Sequence, residues 1–330
     1  MSLIDQLASN ISDASMKIVF PEGEEIKIIQ AAKLICEKNV ASPILLGSTE
    51  KILSLAAQDG IDPSKFSIVD PVISPLLERY IGIYSKEKKF PEKATRKILQ
   101  ANLGFGAMMV KTGDADAMIA GISHATEQVI MISQLIIGMM PGISIPSSFM
   151  VFDIPGYQSE EGSLLVIADP AINPEPTPEE LADIAISTAT NVQEILGWEP
   201  RVAMLSFSTH GSASHPLADK VVRAVEIIHE RAPLLSVDGE LQLDAAIVPE
   251  VAKRKVKRES KVAGRANVLI FPDLNSANIG CKLIQRLAKA QAYGTILQGF
   301  ALPVSDLSRG ATVEDIFGVA TILSVRGKAQ

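Results

Sequence analysis

The feature that most constrains this chain is an alternation, from Lys17 onward, of short apolar runs with longer stretches of helical period. Such short apolar runs must be covered on both faces, and the helices that follow them in sequence do the covering. The pattern predicts α/β architecture with a parallel sheet between helices. Lys17–Phe20 is the first predicted strand. Residues 24–39 follow as a helix with Ile26, Ile29, Ala32, Leu34 and Ile35 on one broad face, and 43–46 is the next strand. Strands over 67–69 and 115–120 continue the series, with helices over 75–84, capped by Ser74, over 91–110 and over 126–140.

At 330 residues the chain exceeds the size at which one core usually divides, so two domains are expected. The turn signal Pro141-Gly142 is the predicted first boundary. Beyond it, strands over 147–152 and 164–167 are joined by an acidic, glycine-containing segment that reads as a hairpin, which makes the second sheet mixed. Thr177-Pro178-Glu179-Glu180 has the pattern of a capped helix start. Three more predicted strands, 201–207, 235–238 and 266–271, run into small polar residues, where open parallel sheets place their ligands.

Those strand ends carry the candidate chemistry. Ser206, Ser208, Thr209 and Ser212, with His210 and Gly211 among them, suit donation of hydroxyl and amide hydrogens to an anion, or form a plain turn. No Lys-Ser or Lys-Thr follows a glycine there, which argues against a nucleotide triphosphate loop. Asp306-Leu307-Ser308-Arg309-Gly310 joins a hydroxyl to a permanently charged fork just before a helix predicted from Thr312. Arg309 is suited to grip a phosphoryl group bidentately, with Ser308 donating to another oxygen. Asp315 is either part of that site or a partner of the helix dipole. Asp238, Glu240 and Asp244 match no metal-loop spacing, and no metal is assigned. His124 and His210 lie at strand ends and are retained as site-lining candidates. Cys281 is placed at a helix start, where the dipole would lower its pKa.

A formal charge of −7 gives no global basic field, so nucleic acid and anionic membrane are poor partners. Two cysteines, no leader-like N-terminus and no apolar run approaching about 18 residues point to a cytoplasmic protein with no membrane span.

Taken in order, Lys17 to Gly23, Leu205 to Ala213, Asp238 to Ala246, Ala266 to Leu274, Asn278-Ile279-Gly280, Leu297-Gln298-Gly299 and Asp306 to Gly310 resemble the phosphate acetyl/butyryltransferase family, most closely its phosphate acetyltransferase branch. The resemblance implies two three-layer α/β domains with a cleft between them, similar to isocitrate and isopropylmalate dehydrogenases. The C-terminal segment would return to the first domain, giving 1–142 with 300–330 and 143–299. It implies reversible transfer of acetyl between acetyl phosphate and coenzyme A, in a homodimer and without metal or other cofactor, coenzyme A being a substrate. By resemblance Ser308 and Arg309 bind the acyl phosphate and Asp315 deprotonates the thiol. Ser206, Ser208, Thr209, His210, Gly211, Ser212, His124, Thr126, Asn278 and Gly280 would line the substrates.

Two departures from the family lie on the coenzyme A side, and three softer ones lie elsewhere. One family arginine falls on Met131, and a second on Ile83 or Tyr84. The family's lysine in the Ser-Thr-Lys-Gly loop is His210, and two usual cysteines are Pro170 and Ala311. Each lost arginine removes charge-assisted bonds worth roughly 1.5 to 3 kcal/mol. Two rival readings therefore stand: a propionyl- or butyryl-preferring enzyme, and a catalytically weak paralogue that binds rather than turns over.

Overall fold

The computed structural model describes residues 3–11 and 15–326. The chain divides into two units, Met1–Met140 with Phe300–Gln330, and Pro141–Gly299. In the first, α1 (Leu3–Ser9), β1 (Lys17–Phe20), α2 (Ile26–Glu37), β2 (Ser42–Leu46), α3 (Thr49–Gln58), β3 (Ser67–Val69) and α4 (Leu76–Lys88) are followed by α5 (Glu92–Leu99), α6 (Asn102–Thr112), β4 (Ala117–Ala120) and α7 (Thr126–Ile136). The chain comes back as β11 (Val304–Asp306) and α13 (Val313–Arg326). The sheet runs β11-β4-β1-β2-β3, with every pairing parallel. Ile18, Val19 and Phe20 have no exposure and all of β4 is buried, so helices cover both faces. α2 packs on α13, while α4 to α7 pack in series.

Two helices depart from the sequence expectation. The predicted 91–110 helix is broken into α5 and α6 by an extended Ala101. The break has a tertiary cause: Asn102 Nδ2 donates to the carbonyls of Pro21 at 2.9 Å and Leu46 at 3.4 Å, drawing the new helix start onto the ends of β1 and β2. The predicted 126–140 helix stops at Ile136. Gly138 takes a left-handed φ of 89°, its carbonyl accepts from Ala301 N–H at 3.0 Å, and Met139 forms a bridge with Phe300.

The second unit holds β5 (Ser147–Asp153), β6 (Leu164–Ala168), α8 (Pro178–Asn191), β7 (Arg201–Leu205), α9 (Pro216–Arg231), β8 (Ser236–Leu241), α10 (Leu243–Ile247), α11 (Pro249–Lys255), β9 (Val268–Ile270), α12 (Leu274–Leu287) and β10 (Gln291–Gln298). Its order is β10-β5-β6-β9-β7-β8. The first two pairings are antiparallel and the rest parallel, so the sheet is mixed. The capped start of α8 forms as its sequence dictates: Thr177 Oγ1 accepts from Glu180 N–H at 3.2 Å and Glu180 Oε2 from Thr177 N–H at 2.8 Å. β8 runs three residues past its predicted end, which puts both Asp238 and Glu240 inside a strand. Among the described residues no helix is long and apolar enough to cross a membrane.

Candidate functional site

Because β11, β4 and β1 are adjacent and parallel, the segments leaving their carboxyl ends gather at one edge of the first sheet. Glu22, two residues past β1, is 5% exposed. Its carboxylate accepts from the N–H groups of Ile122 at 2.9 Å, Ser123 at 2.8 Å and His124 at 2.7 Å, from Ser123 Oγ at 3.2 Å, and faces His124 Nδ1 at 2.8 Å. Burial alone would raise its pKa. The bonds from His124 and the backbone outweigh burial and hold the carboxyl below its usual range.

Asp306, the last residue of β11, ties that edge to α7. Its Oδ2 accepts from Thr126 Oγ1 at 2.5 Å, while its Oδ1 is buried with no hydrogen-bond partner among the described residues. A Cβ at Gly121 would come within 2.1 Å of that Oδ1, and Gly121 also holds φ at +112°, so only glycine fits the approach. Burial pushes the Asp306 carboxyl up to about 6. The nearby Glu22 charge adds to the rise, and Thr126 with the Leu307 amide offsets part of it. The Leu307 N–H itself bonds the Ala120 carbonyl at 2.7 Å, extending the β4/β11 pairing into the loop.

Ser308, Arg309 and Gly310 follow directly and are exposed. Ser308 Oγ accepts from Gly310 N–H at 3.3 Å, and Arg309 makes no ion pair among the described residues. Asp315 is exposed at the start of α13. Its Oδ2 accepts from Thr312 N–H at 2.9 Å, and Thr312 Oγ1 accepts from Asp315 N–H at 3.1 Å. The helix-capping role of Asp315 is thus realised through one oxygen, and Oδ1 stays open.

The loop after β7 has a different character. Glu240, 2% exposed, takes the Ser208 hydroxyl at 2.6 Å and the Gly211 N–H at 2.8 Å on one carboxylate oxygen, and its carbonyl accepts from His210 N–H at 3.1 Å. Thr209 Oγ1 is bonded to Gln242, and Ser212 Oγ accepts from Thr209 N–H at 3.0 Å. Two of the donors that composition offered to an external anion, the Ser208 hydroxyl and the Gly211 N–H, are spent on this internal carboxylate, Thr209 and Ser212 bond within the protein, and Ser206 keeps a hydroxyl hydrogen to give. His210 Nε2 lies 3.1 Å from Asp238 Oδ1 and 3.2 Å from Arg258 Nη2. Asp238 is buried, which would raise its pKa. The Ser260 hydroxyl and the Arg258 guanidinium, joined by His210, bring it below the ordinary value.

Other flagged residues resolve simply. Asn278 and Gly280 lie within α12, Asn278 donating to the Pro170 carbonyl at 3.1 Å and Gly280 giving room to the Phe271 ring. Cys281 is mid-helix and buried in the core of the second unit, and burial pushes its thiol up to about 12, the reverse of the expected lowering. His215 is the N-cap of α9, its Nδ1 accepting from Leu217 N–H. Met131 is 58% exposed. Of the two positions for the second arginine, Ile83 faces solvent and Tyr84 is buried. Glu22, Asp306 and Glu240 carried no role in the sequence reading, because their partners lie 100, 180 and 32 residues away.

A family profile described as phosphate acetyl/butaryl transferase matches residues 2–324. The chain is 44% identical over 331 residues to the phosphate acetyltransferase of Thermoanaerobacterium thermosaccharolyticum, covering 99% of this chain and 100% of that one. A phosphotransacetylase from Streptococcus pyogenes superposes with a TM-score of 0.93 at 38% identity, covering 100% of both chains. A putative 4-hydroxythreonine-4-phosphate dehydrogenase from Salmonella typhimurium, at 13% identity and a TM-score of 0.57 over 96% of this chain and 100% of that one, shares the fold alone.

Proposed function

The chain belongs to the phosphate acetyl/butaryl transferase family and is an acyltransferase, and we propose from that premise that it moves an acetyl group reversibly between acetyl phosphate and coenzyme A. The observation that carries this reading is the edge where Ser308 and Arg309, which has no ion pair among the described residues, leave β11 beside the His124 and Thr126 turn that leaves β4. Arg309 grips the phosphoryl group and stabilises charge developing on it, and Ser308 donates to a further oxygen. Asp315, through its open Oδ1, takes the thiol proton. An ordinary carboxylate is a weak base for a thiol of pKa about 8.5, so the Arg309 charge must favour the thiolate. His124 and Thr126 line the acyl phosphate. Coenzyme A enters as a substrate, and direct thiol attack calls on no metal or organic cofactor. The enzyme acts as a cytoplasmic homodimer.

Thioester formation from acetyl phosphate and coenzyme A, followed by ultraviolet absorbance and repeated with propionyl and butyryl phosphate, tests the reading. Acetyl phosphate is expected to give the highest kcat/KM. A preference for butyryl phosphate moves the assignment to the longer-chain activity. No turnover of any of them by folded protein sinks it in favour of a binding paralogue, the outcome that apolar Met131 and Ile83 at the arginine positions would favour. Arg309→Gln abolishes turnover on this reading, and Met131→Arg lowers the KM for coenzyme A.

A further inference from the structure

The pair formed by Glu22 and His124 has more order than a lining residue requires. Glu22 is held ionised by its four donors from the turn and by His124, so it cannot itself donate. The hydrogen in the 2.8 Å contact therefore sits on His124 Nδ1. This fixes the ring and directs Nε2 away from the carboxylate. His124 is 32% exposed through its side chain, and Nε2 has no hydrogen-bond partner among the described residues. The same turn is stapled to the acyl phosphate loop by the bond from Thr126 to Asp306, two residues before Ser308. The reaction also leaves a task unassigned. Phosphate departing from an acyl phosphate dianion without a proton leaves as a trianion, a far more basic and poorer leaving group than its protonated form.

We propose that His124, oriented by Glu22, is a second proton-transfer residue of this site, giving its Nε2 proton to the departing phosphate when acetyl moves to the thiol and taking it back in the reverse reaction. The inference rests on the transferase reading above. The sulfur electron pair forms the C–S bond while the thiol proton passes to Asp315. The C–O bond to phosphorus breaks with its pair on oxygen, and that oxygen takes the proton from Nε2. His124 is left neutral with Nδ1–H on Glu22, and exchange through solvent returns the proton from Asp315. Charged groups on the surrounding elements are Glu22 beyond β1, Glu127 in the first turn of α7, Asp306 ending β11, Arg309 on the next loop, and Lys111 in the last turn of α6, which packs on α7.

His124→Asn tests this, because an asparagine amide can keep the bond to Glu22 while removing Nε2. In the thioester-forming direction kcat is expected to fall about 10²-fold or more, in the range usual for a positioned acid or base. The KM for acetyl phosphate stays within about threefold, added imidazole restores part of the rate, and the alkaline limb of the kcat profile disappears. A kcat within about threefold of wild type overturns the proposal. So does a loss carried wholly by KM, or a loss that imidazole leaves untouched while the alkaline limb persists. Should His124→Asn fail to fold, Glu22→Gln is read instead: kcat must fall at least about tenfold with the KM for acetyl phosphate held within about threefold, and a kcat within about threefold of wild type overturns the assignment. Wild-type protein in the same assay keeps the two ideas apart, since its own inactivity defeats the transferase reading and its activity with an unaffected variant defeats only the role of His124.

Discussion

The two units each present a polar loop at the carboxyl ends of parallel strands, and the two loops treat an anion in opposite ways. After β7, the residues that look most like an anion cradle surround Glu240, a carboxylate supplied by the neighbouring strand. After β11, a loop with fewer hydroxyls leaves Ser308 exposed and Arg309 without a counter-charge, while the buried acids beside it, Glu22 and Asp306, bond to the adjoining turn. Loop composition reports how many donors exist. The nearest buried carboxylate decides whether any are left over.

Variants that exchange these characters test the contrast. Glu240→Ala has the largest expected effect: Ser208 Oγ and Gly211 N–H lose a charged acceptor inside the protein, which costs about 3 to 4 kcal/mol in denaturant unfolding. A loss under about 1 kcal/mol would mean the loop is not organised around that carboxylate. Ser308→Ala should behave inversely, with kcat/KM down about 10- to 100-fold, equivalent to about 1.4 to 2.7 kcal/mol, and unfolding within about 0.5 kcal/mol of wild type.

Asp306 gives the next largest effect. Its folded pKa, about 6, lies above the ordinary 3.8, so its contribution to stability is fully present below pH 4 and is lost as pH rises through 6. Wild type should lose on the order of 2 kcal/mol across that window relative to Asp306→Asn, measured as unfolding free energy at several pH values. Parallel curves for the two proteins would refute a buried acid whose pKa is raised by folding. Arg258→Ala should cost least, about 1 kcal/mol in the same assay, because Asp238 retains Ser260, His210 and the Gly239 N–H.

What was legible in the sequence was local. The start of α8 could be read because Thr177 and Glu180 satisfy each other within one turn, and β1, β2 and β4 because burial on both faces leaves short apolar runs. The 91–110 helix was misread because the bond that starts α6 reaches from Asn102 back to Pro21. β10 escaped notice because it alternates imperfectly, with a register shift between Tyr293 and Ile296 where Gly294 turns to a φ of 106°, and β11 because only Val304 of its three residues is apolar. In the site, the Ser308-Arg309 motif stood out, whereas nothing near Glu22 announces that His124 is its partner.

The return of the chain to place β11 against β4 has a consequence in time. β4 is made early, and its partner follows only after the whole second unit. At translation rates of about 5 to 20 residues per second, that is a delay on the order of ten seconds or more. Through that interval the nascent first unit has an open strand edge where β11 and the Ser308-Arg309 loop will sit. The ribosome therefore delivers this edge after the four other strands of the sheet, and a chain truncated just before Val304 carries those four strands without the β11 that closes them.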